Sequence, residues 1–159
     1  MAGTLTDSSP RRHPGIICDV TNVRRFELEQ IGVVESPLTD VAAAPKQGDE
    51  GAPDAWLAID AGVVAGLAGI GPGDELIVLT WLHRAQRDVL SVHPRGDLAR
   101  PAQGVFGTRS PHRPNPIGVH RVEVLAIEGA RVCVRNLEAV DGTPIVDVKP
   151  VLSEDVGER

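Results

Sequence analysis

Two alternating apolar runs, Val119 to Glu128 (V-H-R-V-E-V-L-A-I-E) and Arg131 to Glu138 (R-V-C-V-R-N-L-E), are separated by only Gly129-Ala130. Alternation at period two sends one set of side chains to a buried face and the other to water, and a two-residue connector with glycine closes such runs into an antiparallel hairpin. Whatever this chain folds into must contain that hairpin. Ile145 to Lys149 repeats the alternation after the turn Asp141-Gly142-Thr143-Pro144 and predicts a further strand. Ala55 to Ile59 reads as a strand, and Phe26 to Ser36 opens with alternation that predicts another before Pro37. Glu75 to Leu82 is an apolar run of strand length, rich in β-branched residues, and predicts burial on both faces. Gly62 to Leu67 predicts a short helix closed by Gly69 and Gly71.

Roughly six strands, one or two short helices and no strand-helix-strand rhythm predict an all-β, mainly antiparallel fold. The expectation is a small β-barrel. No G-x-G-x-x-G follows a strand and opens a helix, so a Rossmann cradle is not expected. A chain of 159 residues suits one domain, placed here over residues 26–159. Residues 1–25 are polar, hold Pro10 and Pro14, and predict a flexible or docked N-terminal tail. No apolar run approaches the roughly 18 to 20 residues that cross a bilayer, and the first residues lack an apolar secretory segment, which predicts a cytoplasmic protein without a membrane partner. Cys18, Cys133 and five histidines (His13, His83, His93, His112, His120) show no metal-ligand spacing, so no metal is expected.

The net charge of −6 argues against a general polyanion binder, yet the charge is segregated. Trp81 to Arg121 holds seven arginines, no lysine, and only Asp88 and Asp97 as acids, a net +5 that leaves −11 for the rest of the chain. Guanidinium groups favour planar, bidentate recognition of carboxylate or phosphate, so one anion-seeking surface is implied. Within this stretch Pro111, Pro114 and Pro116 exclude a regular helix and stiffen the loop that carries Arg109 and Arg113. A cation on a stiff loop loses less freedom when it grips an anion. Ala42 to Pro53 is a long Pro/Gly-containing connection with Pro45-Lys46-Gln47-Gly48 at its centre. Trp81-Leu82-His83-Arg84 ends the most apolar strand, where side chains leave the core. In the Asp141 turn the carboxylate can accept from a hydroxyl or amine, and Gly142 lets a ligand lie against the main chain.

The block Thr108-Arg109-Ser110-Pro111-His112-Arg113-Pro114-Asn115-Pro116-Ile117-Gly118, with Asp141-Gly142-Thr143-Pro144-Ile145-Val146-Asp147-Val148-Lys149-Pro150, resembles the TsaA-like, or TrmO-type, methyltransferase family. Ala44-Pro45-Lys46-Gln47 and Trp81-Leu82-His83 match two further family segments in the expected order, and the likeness runs from about Ile31 to Leu152. The resemblance implies a β-barrel that binds S-adenosyl-L-methionine at a homodimer interface and methylates N6 of threonylcarbamoyladenosine beside the tRNA anticodon. It implies cofactor contacts from Pro45, Lys46, Gln47, His83, Arg84, Arg109, the main chain near Val119, and Asp141, Gly142, Thr143 and Pro144. Arg113, Asn115 and Lys149 are the candidates for the substrate's carboxylate, an RNA phosphate or the base. His112, His83 or Asp141 could take a proton from the acceptor, and spacing does not choose among them, so no base is assigned. Two other readings stay open: a small-molecule N-methyltransferase acting on a carboxylated metabolite, and a non-enzymatic cofactor-binding barrel dimer. Val151 stands where the family often has tyrosine, and the chain has no tyrosine at all, leaving few platforms for stacking a base.

Overall fold

The computed structural model describes residues 26–152. Its strands are β1 (Gly32–Glu35), β2 (Ala55–Ile59), β3 (Glu75–Trp81), β4 (Ser91–Val92), β5 (Gln103–Gly104), β6 (Ile117–Glu128), β7 (Arg131–Arg135) and β8 (Pro144–Pro150). Six of them close into a barrel in the order β1-β2-β7-β6-β3-β8, with every neighbouring pair antiparallel. The seam is short: β1 meets β8 only through Gly32 with Ile145 and Val33 with Pro144. β4 and β5 form a separate two-stranded ribbon inside the long excursion from residue 82 to 116.

The hairpin forms where the alternation placed it: Glu128 pairs with Arg131 across Gly129-Ala130. β7 ends at Arg135, short of Glu138, because Asn136 turns to φ 63, a left-handed conformation that an extended strand cannot contain. β1 is shorter than the predicted Phe26 to Ser36. Ile31 still donates to the Ile145 carbonyl at 2.9 Å and packs against the core, but Phe26 is 83% exposed and Leu28 is also exposed. The helix expected over Gly62 to Leu67 is a 3-10 run, Ala61–Leu67, and short 3-10 turns also occupy Gly48–Glu50, Pro94–Gly96 and Val105–Gly107. The tail over residues 1–25, Cys18 and His13 lie outside the described residues.

Inward positions alternate around the wall, with Val34, Leu57, Leu76, Val78, Val124, Val132, Val134 and Ile145 essentially inaccessible to water. Burying each such side chain contributes about 1.5–3 kcal/mol. β3 departs from the expectation of burial on both faces: Leu76, Val78 and Thr80 point inward, whereas Ile77, Leu79 and Trp81 are half-buried on the outside. A barrel wall has a single inner face, and only partial cover reaches its outer one.

The topology sorts the connections by end. Antiparallel pairing of Glu35 with Trp56, Trp81 with Ile117, Ala55 with Val134, and Thr80 with Ile145 gathers residues 36–54, 82–116 and 136–143 at one end. Residues 60–74 and the 129–130 hairpin close the other. Cross-strand ion pairs lace the wall below: Arg121 grips Glu75 with Nε at 3.0 Å and Nη2 at 2.7 Å, and Arg135 reaches Glu123 at 2.9 Å. The Arg121 hydrogen bond is the main cause that holds the Glu75 carboxyl below its ordinary value.

Candidate functional site

The end that carries the three long connections brings together almost every residue singled out in the sequence. The Asp141 turn docks on the exit of β1: Asp141 Oδ1 accepts from the Ser36 amide at 3.0 Å, the Asp141 amide donates to the Leu38 carbonyl at 2.7 Å, and the Gly142 amide donates to the Val34 carbonyl at 2.8 Å. Gly142 takes φ 73 and has open space where a Cβ would point, so its main chain is presented to the outside. Beneath the turn, Thr143 is buried with its hydroxyl donated to the Val140 carbonyl at 2.6 Å.

Arg84 leaves the end of β3 and donates to the Thr39 carbonyl at 3.2 Å, joining the β3 exit to the chain that follows β1. Lys46 donates from Nζ to the Arg95 carbonyl at 3.1 Å, while Arg95 pairs with Glu50 at 3.0 Å. These contacts pin the Pro45-Lys46-Gln47 loop to the 82–116 excursion. On its other side Gly48 rests on the Asn136 carbonyl, which a Cβ would meet at 2.2 Å. Only glycine permits that approach. Arg109 donates from Nη2 to the Val119 carbonyl at 3.1 Å, so these two candidate residues are direct partners. His83 and Arg109 are exposed at this end.

The proline-braced loop and the Asp-Gly corner share an open cleft of about 1000 Å³, to which the loop contributes Pro114 and Asn115 and the turn contributes Pro144. Phe26, Leu28, Gln30, Trp81, Ile117 and Val146 complete the lining with Arg87, whose guanidinium lies 5.1 Å from the Trp81 ring centroid; Asp141 and Gly142 stand beside the cleft and do not line it. A second, smaller hollow of about 240 Å³ near Leu67 and Ile70 belongs to the far end.

Two candidate substrate residues are placed otherwise than expected. Arg113 turns back into its own loop, donating from Nε to the Ser110 carbonyl at 2.8 Å and from Nη2 to the Val105 and Thr108 carbonyls at 3.0 and 2.5 Å. Three prolines remove backbone donors from this loop, and the guanidinium satisfies the carbonyls they leave. Arg113 is therefore a brace. Lys149 lies five residues along β8 from Pro144, about 17 Å at strand rise, and pairs with Asp147 at 2.8 Å. It sits toward the opposite end of the wall. Asn115 does reach the cleft.

His112 accepts the Gln86 amide at Nδ1, 3.0 Å away, so its neutral form carries the proton on Nε2 and has no lone pair to spare for a base. His83 and Asp141 Oδ2 remain the available acceptors.

One arrangement escaped the sequence reading altogether. Thr80 Oγ1 lies 2.8 Å from His120 Nε2, and His120 Nδ1 lies 2.8 Å from Glu138 Oε1. Thr80 is 0% exposed and His120 5%, while Glu138 is partly exposed at 19%, so a buried hydroxyl-imidazole pair ends on a half-buried carboxylate under the cleft end. The three residues are far apart in sequence and no local pattern links them. No cluster of metal-ligating side chains occurs among the described residues, and none of their helices is long and apolar enough to cross a membrane.

A closed antiparallel barrel whose loops gather cations, an Asp-Gly turn and a cleft at one end defines a class of ligand-binding barrel unrelated to the Rossmann cradle. The family model described as the tRNA-methyltransferase O N-terminal domain matches residues 33–155, and the chain belongs to this family. An S-adenosyl-L-methionine-binding protein of Archaeoglobus fulgidus is 44% identical over 122 residues, covering 77% of this chain and 86% of that protein. A second protein of the same organism, a probable S-adenosyl-L-methionine-binding protein, is 46% identical over 127 residues, but the chain spans only 34% of its length. The crystal structure of TrmO from Pseudomonas aeruginosa superimposes with a TM-score of 0.65 at 26% identity, covering 86% of this chain and 61% of that one.

Proposed function

We propose that the loop end of the barrel binds S-adenosyl-L-methionine and transfers its methyl group to a nitrogen, most specifically N6 of threonylcarbamoyladenosine in tRNA. The observation that carries this reading is the convergence of all four family-matching segments, from the first loop, the β3 exit, the arginine loop and the Asp141 turn, on one end of one barrel. The residues fit such a cofactor. Arg109, Arg84 and Lys46 supply cations for a carboxylate, Asp141 supplies an acceptor for an amine or ribose hydroxyl, and Gly142 offers uncovered main chain.

When bound, the cofactor supplies a methyl group on a sulfonium, a centre that needs little further activation. The chain's task is then placement. The stiff loop and the pinned turn would hold the acceptor nitrogen in line, and His83 or Asp141 Oδ2 would be the group to receive its proton. Asn115 and Arg87 in the cleft suit the edge of a base and an anionic substituent. Leu98 and Phe106, 81% and 79% exposed, with Leu90 also exposed, give the excursion an apolar surface that supports a homodimer. The family's function also supports a cytoplasmic location.

The test is incubation of the purified protein with isotopically labelled cofactor and tRNA carrying threonylcarbamoyladenosine, followed by nucleoside mass spectrometry. A labelled methylated nucleoside is expected; cofactor binding with unmodified tRNA overturns the tRNA assignment. One observation favours a second substrate, a small carboxylated metabolite: the charge of −11 outside the arginine stretch repels an extended polyanion. Methyl transfer to neither class of acceptor leaves the third reading, a cofactor-binding barrel dimer.

A further inference from the structure

We propose that the chain Thr80–His120–Glu138, buried at its first two members and half-buried at its carboxylate, is a positioning device that sets the geometry of the cofactor end from beneath. The inference rests on the cofactor site proposed above and concerns what holds that site in shape.

The three residues sit at the roots of three of the four segments that form the site. Thr80 precedes His83 and Arg84 by three and four residues at the exit of β3. His120 follows Val119, whose carbonyl receives Arg109. Glu138 precedes Asp141 by three residues in the connection to β8. Two bonds of 2.8 Å therefore couple three loops that are otherwise joined through surface contacts. An ionised Glu138 can only accept, so Nδ1 of His120 donates to it; the Thr80 hydroxyl, able to donate or accept, completes the chain at Nε2. No buried side-chain polar atom among the described residues lacks a partner, so the chain is fully satisfied. In low dielectric such a chain is stiff, and the cost of misaligning it is high.

Local geometry shows that the backbone is fitted to these side chains. β6 runs so close over them that a Cβ on Gly118 would meet Thr80 Oγ1 at 2.4 Å and His120 Nε2 at 2.6 Å. The β3–β8 register also shifts between Leu79 and Thr80. Apart from Thr143 under the Asp141 turn, the buried side chains of the core are valine, leucine, isoleucine and alanine, so packing alone does not require a polar trio at this level. Its placement under the site, and not at the far end, is what points to positioning.

The experiment is calorimetric titration of S-adenosyl-L-methionine onto the full chain, wild type and four variants, with the unfolding midpoint of each measured in parallel. Thr80→Val removes one hydroxyl while keeping the side-chain outline; Thr80→Ser keeps the hydroxyl. The expected result is binding by the wild type and by Thr80→Ser at similar affinity, and a loss of about tenfold or more for Thr80→Val, His120→Ala and Glu138→Gln, the scale seen when supporting hydrogen bonds of a site are removed. A purely structural role lowers the midpoint without changing the affinity of the folded protein. If Thr80→Val folds and binds as tightly as Thr80→Ser, the proposal is overturned, whether or not His120→Ala folds. Failure of the wild type to bind is a different result and removes the cofactor site itself.

Discussion

Replacing Gly118 by alanine places a methyl group 2.4 Å from Thr80 Oγ1, 2.6 Å from His120 Nε2 and 3.1 Å from Leu82 Cδ2. Carbon contacts settle at about 3.5–4.0 Å, so roughly 1 Å must be found in a fully buried place. Leu82 can yield, being the end of a flexible side chain. The other two atoms are bonded to each other at 2.8 Å, and pushing either one away breaks that bond. Overpacking and loss of one buried hydrogen bond together cost about 2–5 kcal/mol. For a chain of this length each kcal/mol lowers the unfolding midpoint by about 2–4 °C, so a fall of about 4–20 °C is expected by scanning calorimetry. Gly142→Ala provides the comparison: it has φ 73 but no atom within 4 Å of the new methyl, so only the backbone term of about 1–2 kcal/mol applies. Thr80→Ala in the Gly118→Ala background removes the nearest clash and should recover part of the loss. The reasoning is refuted if Gly118→Ala costs no more than Gly142→Ala and Thr80→Ala rescues nothing.

Other expectations follow from exposed or half-buried groups. Arg109→Ala should weaken cofactor binding several-fold in a calorimetric titration and leave the unfolding midpoint unchanged, because the side chain is exposed and its one protein bond is to the Val119 carbonyl; unchanged affinity would show the cation is misassigned. Burial, with lesser help from Asp54 and Glu128, raises the Cys133 thiol above its ordinary value, so its alkylation, followed by peptide mass spectrometry, should be slower than that of a free thiol and should accelerate only at higher pH. Glu75 has its folded-state value lowered by Arg121, so the contribution of this pair is present above the ordinary carboxylate range and is lost as pH falls through the lowered value. The pair is exposed, so Glu75→Gln should lower the midpoint only slightly at neutral pH, and the difference from wild type should vanish as pH falls through the lowered value.

The readable parts of the fold were those set by short-range pattern. Gly129-Ala130 between two period-two runs specified a hairpin, and the alternation of Ile145 to Lys149 specified β8. The continuous run Leu76 to Trp81 hid its own alternation, since its outward residues are apolar too, and burial on both faces was the wrong inference. Ser91–Val92 and Gln103–Gly104 are too short to show any period. At the site, residue type and proline spacing marked the arginine loop, but not which arginine faces outward: Arg109 is exposed, while Arg113 is spent on three carbonyls of its own loop. Lys149 belonged to the matching segment but lies too far along the strand. His120 was the hardest to see. It stands in an alternating run as one more inward residue, and its partners come from strands and loops that only the closed barrel brings together.

The central claim is the location of the cofactor at the loop end of the barrel, and hydrogen-deuterium exchange with and without saturating S-adenosyl-L-methionine tests it most directly. Slowed exchange confined to residues 44–50, 82–84, 104–119 and 138–144 is the predicted result. Protection centred on residues 60–74 and 129–130, or none anywhere, would contradict it.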